Sequence, residues 1–142
     1  MIGLIVTGHG HFATGLTSAV TLVTGIQDGI IACDFDDASA FNSIRVKLEN
    51  AVETLKDYDA IVIFCDLFSG TPFNQALDMK VSSGNEKINI VYGVNLPLLI
   101  EAALAANNEG TLEDILGKVD LAKQFSIGMV ENKAVDEDED DF

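Results

Sequence analysis

Short apolar runs alternate along this chain with longer stretches in which apolar residues return every third or fourth position. The first run, IGLIVT (2–7), is compact and β-branched, as expected of a strand buried on both faces. From Phe12 to Thr24, residues Phe12, Leu16, Ala19, Val20 and Val23 follow helical spacing, and Gly25 supplies a C-terminal stop. GIIACDF (29–35) predicts a second strand. Residues 37–55 place Phe41, Ile44, Leu48, Val52 and Leu55 on one helical stripe. AIVIFC (60–65) predicts a third buried strand. A helix is expected from Thr71-Pro72 to Gly84, because Thr suits a helix start and proline is tolerated in a first turn. KINIVYG (87–93) predicts strand four, followed by a helix over residues 95–108 with Pro97 in its first turn. Another helix is expected over 111–125, opened by Thr111 with Asp114 three positions on, an acidic variant of the capping box. SIGMVE (126–131) is a short further candidate strand.

Four strand–helix units in series imply an α/β fold, a doubly wound parallel sheet with helices on both faces. Residues 1–131 read as one domain, and residues 132–142 as a solvated acidic tail. In such sheets chemistry gathers beyond the carboxyl ends of the strands, at a topological switch point. His9 follows strand one and Asp66 follows strand three. If those strands are neighbours, the two side chains meet in one crevice.

Charge narrows the partners. Eight Lys and Arg oppose 23 Asp and Glu, a formal charge of −15, which repels phosphate backbones and argues against nucleic acid and anionic membranes. No apolar run is long enough to cross a bilayer, and MIGLIVTGHG has no basic leader or cleavage site. A cytoplasmic protein is therefore expected. Cys33 and Cys65 close apolar runs and read as free, buried thiols.

The candidate chemistry lies in two turns. TGHGHFATG holds His9 and His11, the two histidines of the chain, but lacks both the Walker spacing and a dinucleotide fingerprint. A metal-dependent hydrolase would need His9 and His11 joined by Asp34, Asp36 or Asp66, since metal sites take three or four ligands. A loop histidine without chemical duty is the plainest alternative. DLFSGTPFN contributes Asp66 and a turn, Ser69-Gly70-Thr71, that opens a helix and aims free N–H groups at the crevice. The helix after His9 offers a second such end. A histidine facing a carboxylate between helix N-termini has the parts to carry a phosphoryl group. One ring nitrogen attacks phosphorus while the other, as N–H, is fixed by the carboxylate. Ser69, Thr71 and the helix ends stabilise the charge on the phosphoryl oxygens, with no cofactor required.

TGHGHFATGL, DLFSGTPFN and GVNLPLLIEA, in this order, resemble the enzyme IIA component of the mannose family of bacterial phosphoenolpyruvate-dependent sugar phosphotransferase systems, which takes in mannose, fructose, sorbose and N-acetylgalactosamine types. The resemblance covers residues 1 to about 130. It implies a phosphocarrier charged by the histidine protein HPr and discharged to a IIB subunit, which serves the IIC/IID membrane permease. It implies that His9 accepts the phosphoryl group on its ε nitrogen, that Asp66 holds the δ side, and that Ser69, Gly70 and Thr71 cradle the phosphate. It further implies a homodimer in which a fifth, antiparallel strand is exchanged, matched here by 126–131. His11 stands where relatives carry glycine or tryptophan, and with Phe12 and Phe68 it is expected on the partner-facing rim. Some members fuse IIA to IIB through an Ala/Pro-rich linker; this acidic ending leads us to expect a separate IIB polypeptide. A related phosphocarrier serving a dihydroxyacetone kinase or a transcriptional regulator is the near alternative.

Overall fold

The computed structural model describes residues 1–40 and 42–132. Four parallel strands, β1 (Ile2–His9), β2 (Ile30–Phe35), β3 (Ala60–Cys65) and β4 (Ile88–Tyr92), lie in the order β2-β1-β3-β4. Five helices, α1 (Phe12–Thr24), α2 (Asn42–Thr54), α3 (Thr71–Ser83), α4 (Leu96–Asn107) and α5 (Leu112–Phe125), cover its two faces. This is the doubly wound architecture that the alternating pattern implies.

The two central strands explain the unbroken apolar runs. Side chains alternate across a strand, so both sets in β1 and β3 must be covered. Leu4, Val6, Val62 and Phe64 pack with Val20 of α1, Leu99 of α4 and Ile115 of α5 on one face. Ile5, Ile61 and Ile63 pack with Leu48 of α2 and Ala76 and Met79 of α3 on the other. Cys33 and Cys65 are buried free thiols, both in register with Thr7 of the intervening strand. Two strand spacings therefore separate them, about 9 to 10 Å, beyond disulfide reach. Burial pushes Cys33 up to about 11, with Lys47 opposing and Asp34 adding to the shift; burial and then Asp66 push Cys65 up to about 12.

Helix ends follow the local chemistry. Gly25 and Gly84 close α1 and α3 in the left-handed conformation. Thr111 and Asp114 form a reciprocal capping box on α5. Two segments differ from the sequence expectation. Residues 37–40 do not join α2: the Asp37 carboxylate accepts from the N–H and hydroxyl of Ser39, and Ala38–Ala40 form a 3-10 turn. Phe41 lies outside the described residues. Residues 126–131 make no ladder within the single chain, and Ile127, Met129 and Val130 are exposed. A strand needs a partner, and among the described residues this segment has none. The acidic tail beyond residue 132 lies outside the described residues.

The chain leaves β1 toward β2 on one side and reaches β3 on the other. The order therefore reverses between β1 and β3, which places the switch point at their carboxyl ends.

Candidate functional site

His9 ends β1, and Asp66 directly follows β3 across the switch point. The ladder carries on one step past its last pair, with Asp66 N–H donating to Thr7 O at 3.1 Å. This fixes the carboxylate beside the imidazole. Asp66 Oδ2 accepts from the His9 main-chain N–H at 2.9 Å and lies 2.8 Å from His9 Nδ1, while Oδ1 accepts from Leu67 N–H at 2.9 Å. A carboxylate oxygen accepts, so Nδ1 carries the ring proton and Nε2 presents its lone pair. The Asp66 side chain is 11% exposed and that of His9 45%, a covered anchor beneath an accessible ring.

Two glycines make this approach possible. A Cβ on Gly8 would lie 2.5 Å from Phe12 Cδ1 and 3.0 Å from Asp66 Cγ. A Cβ on Gly70 would lie 2.7 Å from His9 Cε1 and 3.4 Å from Nε2. The N-cap of α3 thus packs against the Cε1–Nε2 edge of the imidazole. Ser69 before it holds a left-handed backbone at φ 65°, an uncommon and mildly strained conformation for a residue with a side chain. The Phe35 ring meets that of His9 at 5.7 Å in an edge contact.

The first turn of α3 directs unpaired N–H groups at this edge. Gly70, Thr71 and Phe73 supply them; Pro72 has none to give. The hydroxyls of Ser69 and Thr71 stand on the same turn.

The start of α1, the other helix end near His9, already faces an anion. Asp34, at the end of β2, accepts from Thr14 N–H at 3.0 Å and from the Thr14 hydroxyl at 2.6 Å. His11 Nδ1 faces the same carboxylate at 3.4 Å. Burial opposes ionisation of Asp34, but the Thr14 bonds and His11 outweigh it and hold the carboxyl below its usual range. The sequence suggested two open helix ends; the structure sets a carboxylate on one N–H of the first of them.

The two histidines therefore turn to different carboxylates, His9 to Asp66 and His11 to Asp34. Among the described residues no three His, Cys, Asp or Glu side chains group to hold a metal ion. His11 is 81% exposed. Phe68 is also exposed and stacks obliquely on Phe73 and Tyr92, each at 5.1 Å. Phe12 sits deeper, half-buried against the core. Sequence reasoning missed Gly8, Phe35 and Tyr92, and read Asp34 only as a possible metal ligand. An aspartate inside the apolar run IIACDF is itself a signal, since buried carboxylates require partners.

The family model described as "PTS system fructose IIA component" matches residues 3–119. The sorbose-specific EIIA component of Lacticaseibacillus casei is 30% identical over 139 residues, 98% of this chain and 99% of that protein. The fructose-specific EIIA component of Bacillus subtilis (strain 168) is 27% identical over 126 residues, 89% of this chain and 84% of its own. The crystal structure of a phosphotransferase system EIIA from Streptococcus agalactiae superposes with a TM-score of 0.79 at 31% identity, covering 91% of this chain and 97% of that one.

Proposed function

The chain belongs to the mannose-type enzyme IIA family of the sugar phosphotransferase system, and from that premise we propose that His9 accepts a phosphoryl group from phospho-HPr and passes it to a IIB subunit. Phosphotransferase IIA components are phosphocarriers. The observation that carries it is the His9 ring, bound through Nδ1 to Asp66 at 2.8 Å with Nε2 against the start of α3.

The chemistry follows from that placement. Nε2 attacks phosphorus in line as the donor's N–P bond breaks. The donor imidazole leaves with the bonding electron pair, and Nδ1 keeps its proton throughout. Asp66 holds the reactive tautomer and stabilises the positive charge that builds on the ring. The N–H groups of Gly70, Thr71 and Phe73, with the hydroxyls of Ser69 and Thr71, bind the phosphoryl oxygens. Transfer to IIB runs the same step in reverse. This work belongs to the cytoplasm, where the partners HPr and IIB meet the IIC/IID permease. Among the described residues no helix is long and apolar enough to cross a membrane. The exposed ring of Phe68 and the exposed His11 beside the loop suit brief contact with those partners.

We read the active form as a homodimer. Among the described residues β4 is an open edge, and Ile90, Tyr92, Leu98 and Val119 line a groove beside it. The apolar, unpaired segment 126–131 suits that groove in a second copy.

The test is incubation with phosphoenolpyruvate, enzyme I and HPr. One acid-labile, base-stable phosphate is expected, and His9→Ala should abolish it. Label retained in that variant, or found on His11, would overturn the assignment.

A further inference from the structure

Asp34 is a buried carboxylate, 8% exposed, that the transfer step above does not use. It lies in register with Gly8, the residue before His9, on the adjacent strand about 4.8 Å away. Its two oxygens take the N–H and hydroxyl of Thr14 in the first turn of α1, although His11, the N-cap residue, makes no side-chain cap of its own. A strand residue thus fills a helix end in place of the local cap. The other groups around it are His11 Nδ1 at 3.4 Å and, from α2, the Lys47 ammonium, which binds the Asp34 main-chain carbonyl at 2.7 Å and the Asp36 carboxylate at 3.5 Å.

A fixed anion at this point acts on cargo at His9 in two ways. It neutralises the positive end of α1, the helix that begins just after His9, so the phosphoryl group is held by α3 alone. It also repels the phosphoryl oxygens through a poorly screened interior. Both effects raise the energy of the charged carrier relative to the empty one. A relay gains from that, because cargo held by two helix ends would be slow to leave.

We propose that Asp34 is a charge-setting residue that raises the transfer potential of the phosphoryl group on His9 by filling the N-terminus of α1 with a buried anion. The inference rests on His9 as acceptor. The step it tunes is the balanced exchange written above, in which one N–P bond replaces another.

The experiment measures the equilibrium constant for phosphoryl exchange between HPr and the full chain by phosphorus NMR. Asp34→Asn keeps an acceptor for Thr14 N–H and removes the charge. It should favour phospho-His9 by about two- to tenfold. Gly15 stands in the first turn of α1 with open space around its Cβ. Gly15→Asp should shift the constant the opposite way relative to Gly15→Asn, as expected if charge at the start of α1 reaches the cargo on His9. Should Asp34→Asn not fold, Asp34→Ser, which also removes the charge and keeps an acceptor at position 34, takes its place. Equal constants across each pair, or both charge changes moving the constant in one direction, would overturn the inference while leaving His9 as acceptor. Absence of label on His9 in the unaltered chain would overturn both.

Discussion

The imidazole of His9 is fixed by contacts of three kinds, each with its own consequence. Asp66 sets the tautomer through a 2.8 Å bond, Phe35 limits tilt at 5.7 Å, and the bare Cα of Gly70 lets the start of α3 touch the Cε1–Nε2 edge. Asp66→Asn replaces an acceptor with an amide that can also donate, so the reactive tautomer loses its preference. Transfer from phospho-HPr should slow by about tenfold to a hundredfold with the melting temperature little changed, as read by rapid quench and circular dichroism. Gly70→Ala puts a methyl group 2.7 Å from His9 Cε1 and forces the ring aside. We expect it to lose phosphorylation while keeping the helical spectrum. Normal labelling of this variant would show that close approach of α3 is dispensable.

At the scale of elements, the loop between β1 and α1 is held from β2. Gly10 N–H donates to Phe35 O at 2.7 Å, and Asp34 ties the first turn of α1. The same loop depends on Gly8, where a Cβ would strike the Phe12 ring at 2.5 Å. Far from the site, α5 depends on its own start: Thr111 accepts from Asp114 N–H at 3.1 Å, and Asp114 accepts from Thr111 N–H at 2.8 Å. Thr111→Ala should cost about 1 kcal/mol in urea unfolding and leave transfer to His9 unchanged. That contrast separates elements that hold the fold from those that hold the site.

For the whole molecule, charge and assembly set the behaviour. A carboxyl whose folded pKa is depressed stabilises the fold above its unfolded value and loses that contribution as pH falls through the folded one. Asp34 is such a group, held below its ordinary 3.8. Acid titration should therefore erode stability below about pH 4, and Asp34→Asn should flatten the curve there. Assembly is tested at the segment after α5. Ile127 and Met129 are 87% and 91% exposed in the single chain. If the proposed homodimer forms through this segment, the unaltered chain should have a dimer's mass in light scattering and the double Asp variant a monomer's; equal masses would overturn the exchange.

The residue pattern alone determined most of the architecture. AIVIFC sits at β3 to the residue, α1 spans Phe12–Thr24, and the Thr111–Asp114 box is as the spacing demands, because periodicity and capping are local. His9 and Asp66 could be paired from sequence because each follows a strand and doubly wound sheets gather such ends. Tertiary structure alone decided which helix end stays open to an anion. Asp34, 20 residues from Thr14 along the chain, fills the N-terminus of α1, and no local pattern announces a cap supplied by another strand. The roles of Gly8 and Gly70 were hidden for the same reason, since a missing Cβ acquires meaning only when a distant side chain arrives against it. Residues 126–131 show the limit from the other direction: a short apolar segment suggests a strand, but a ladder needs a partner edge, and among the described residues this segment pairs with none.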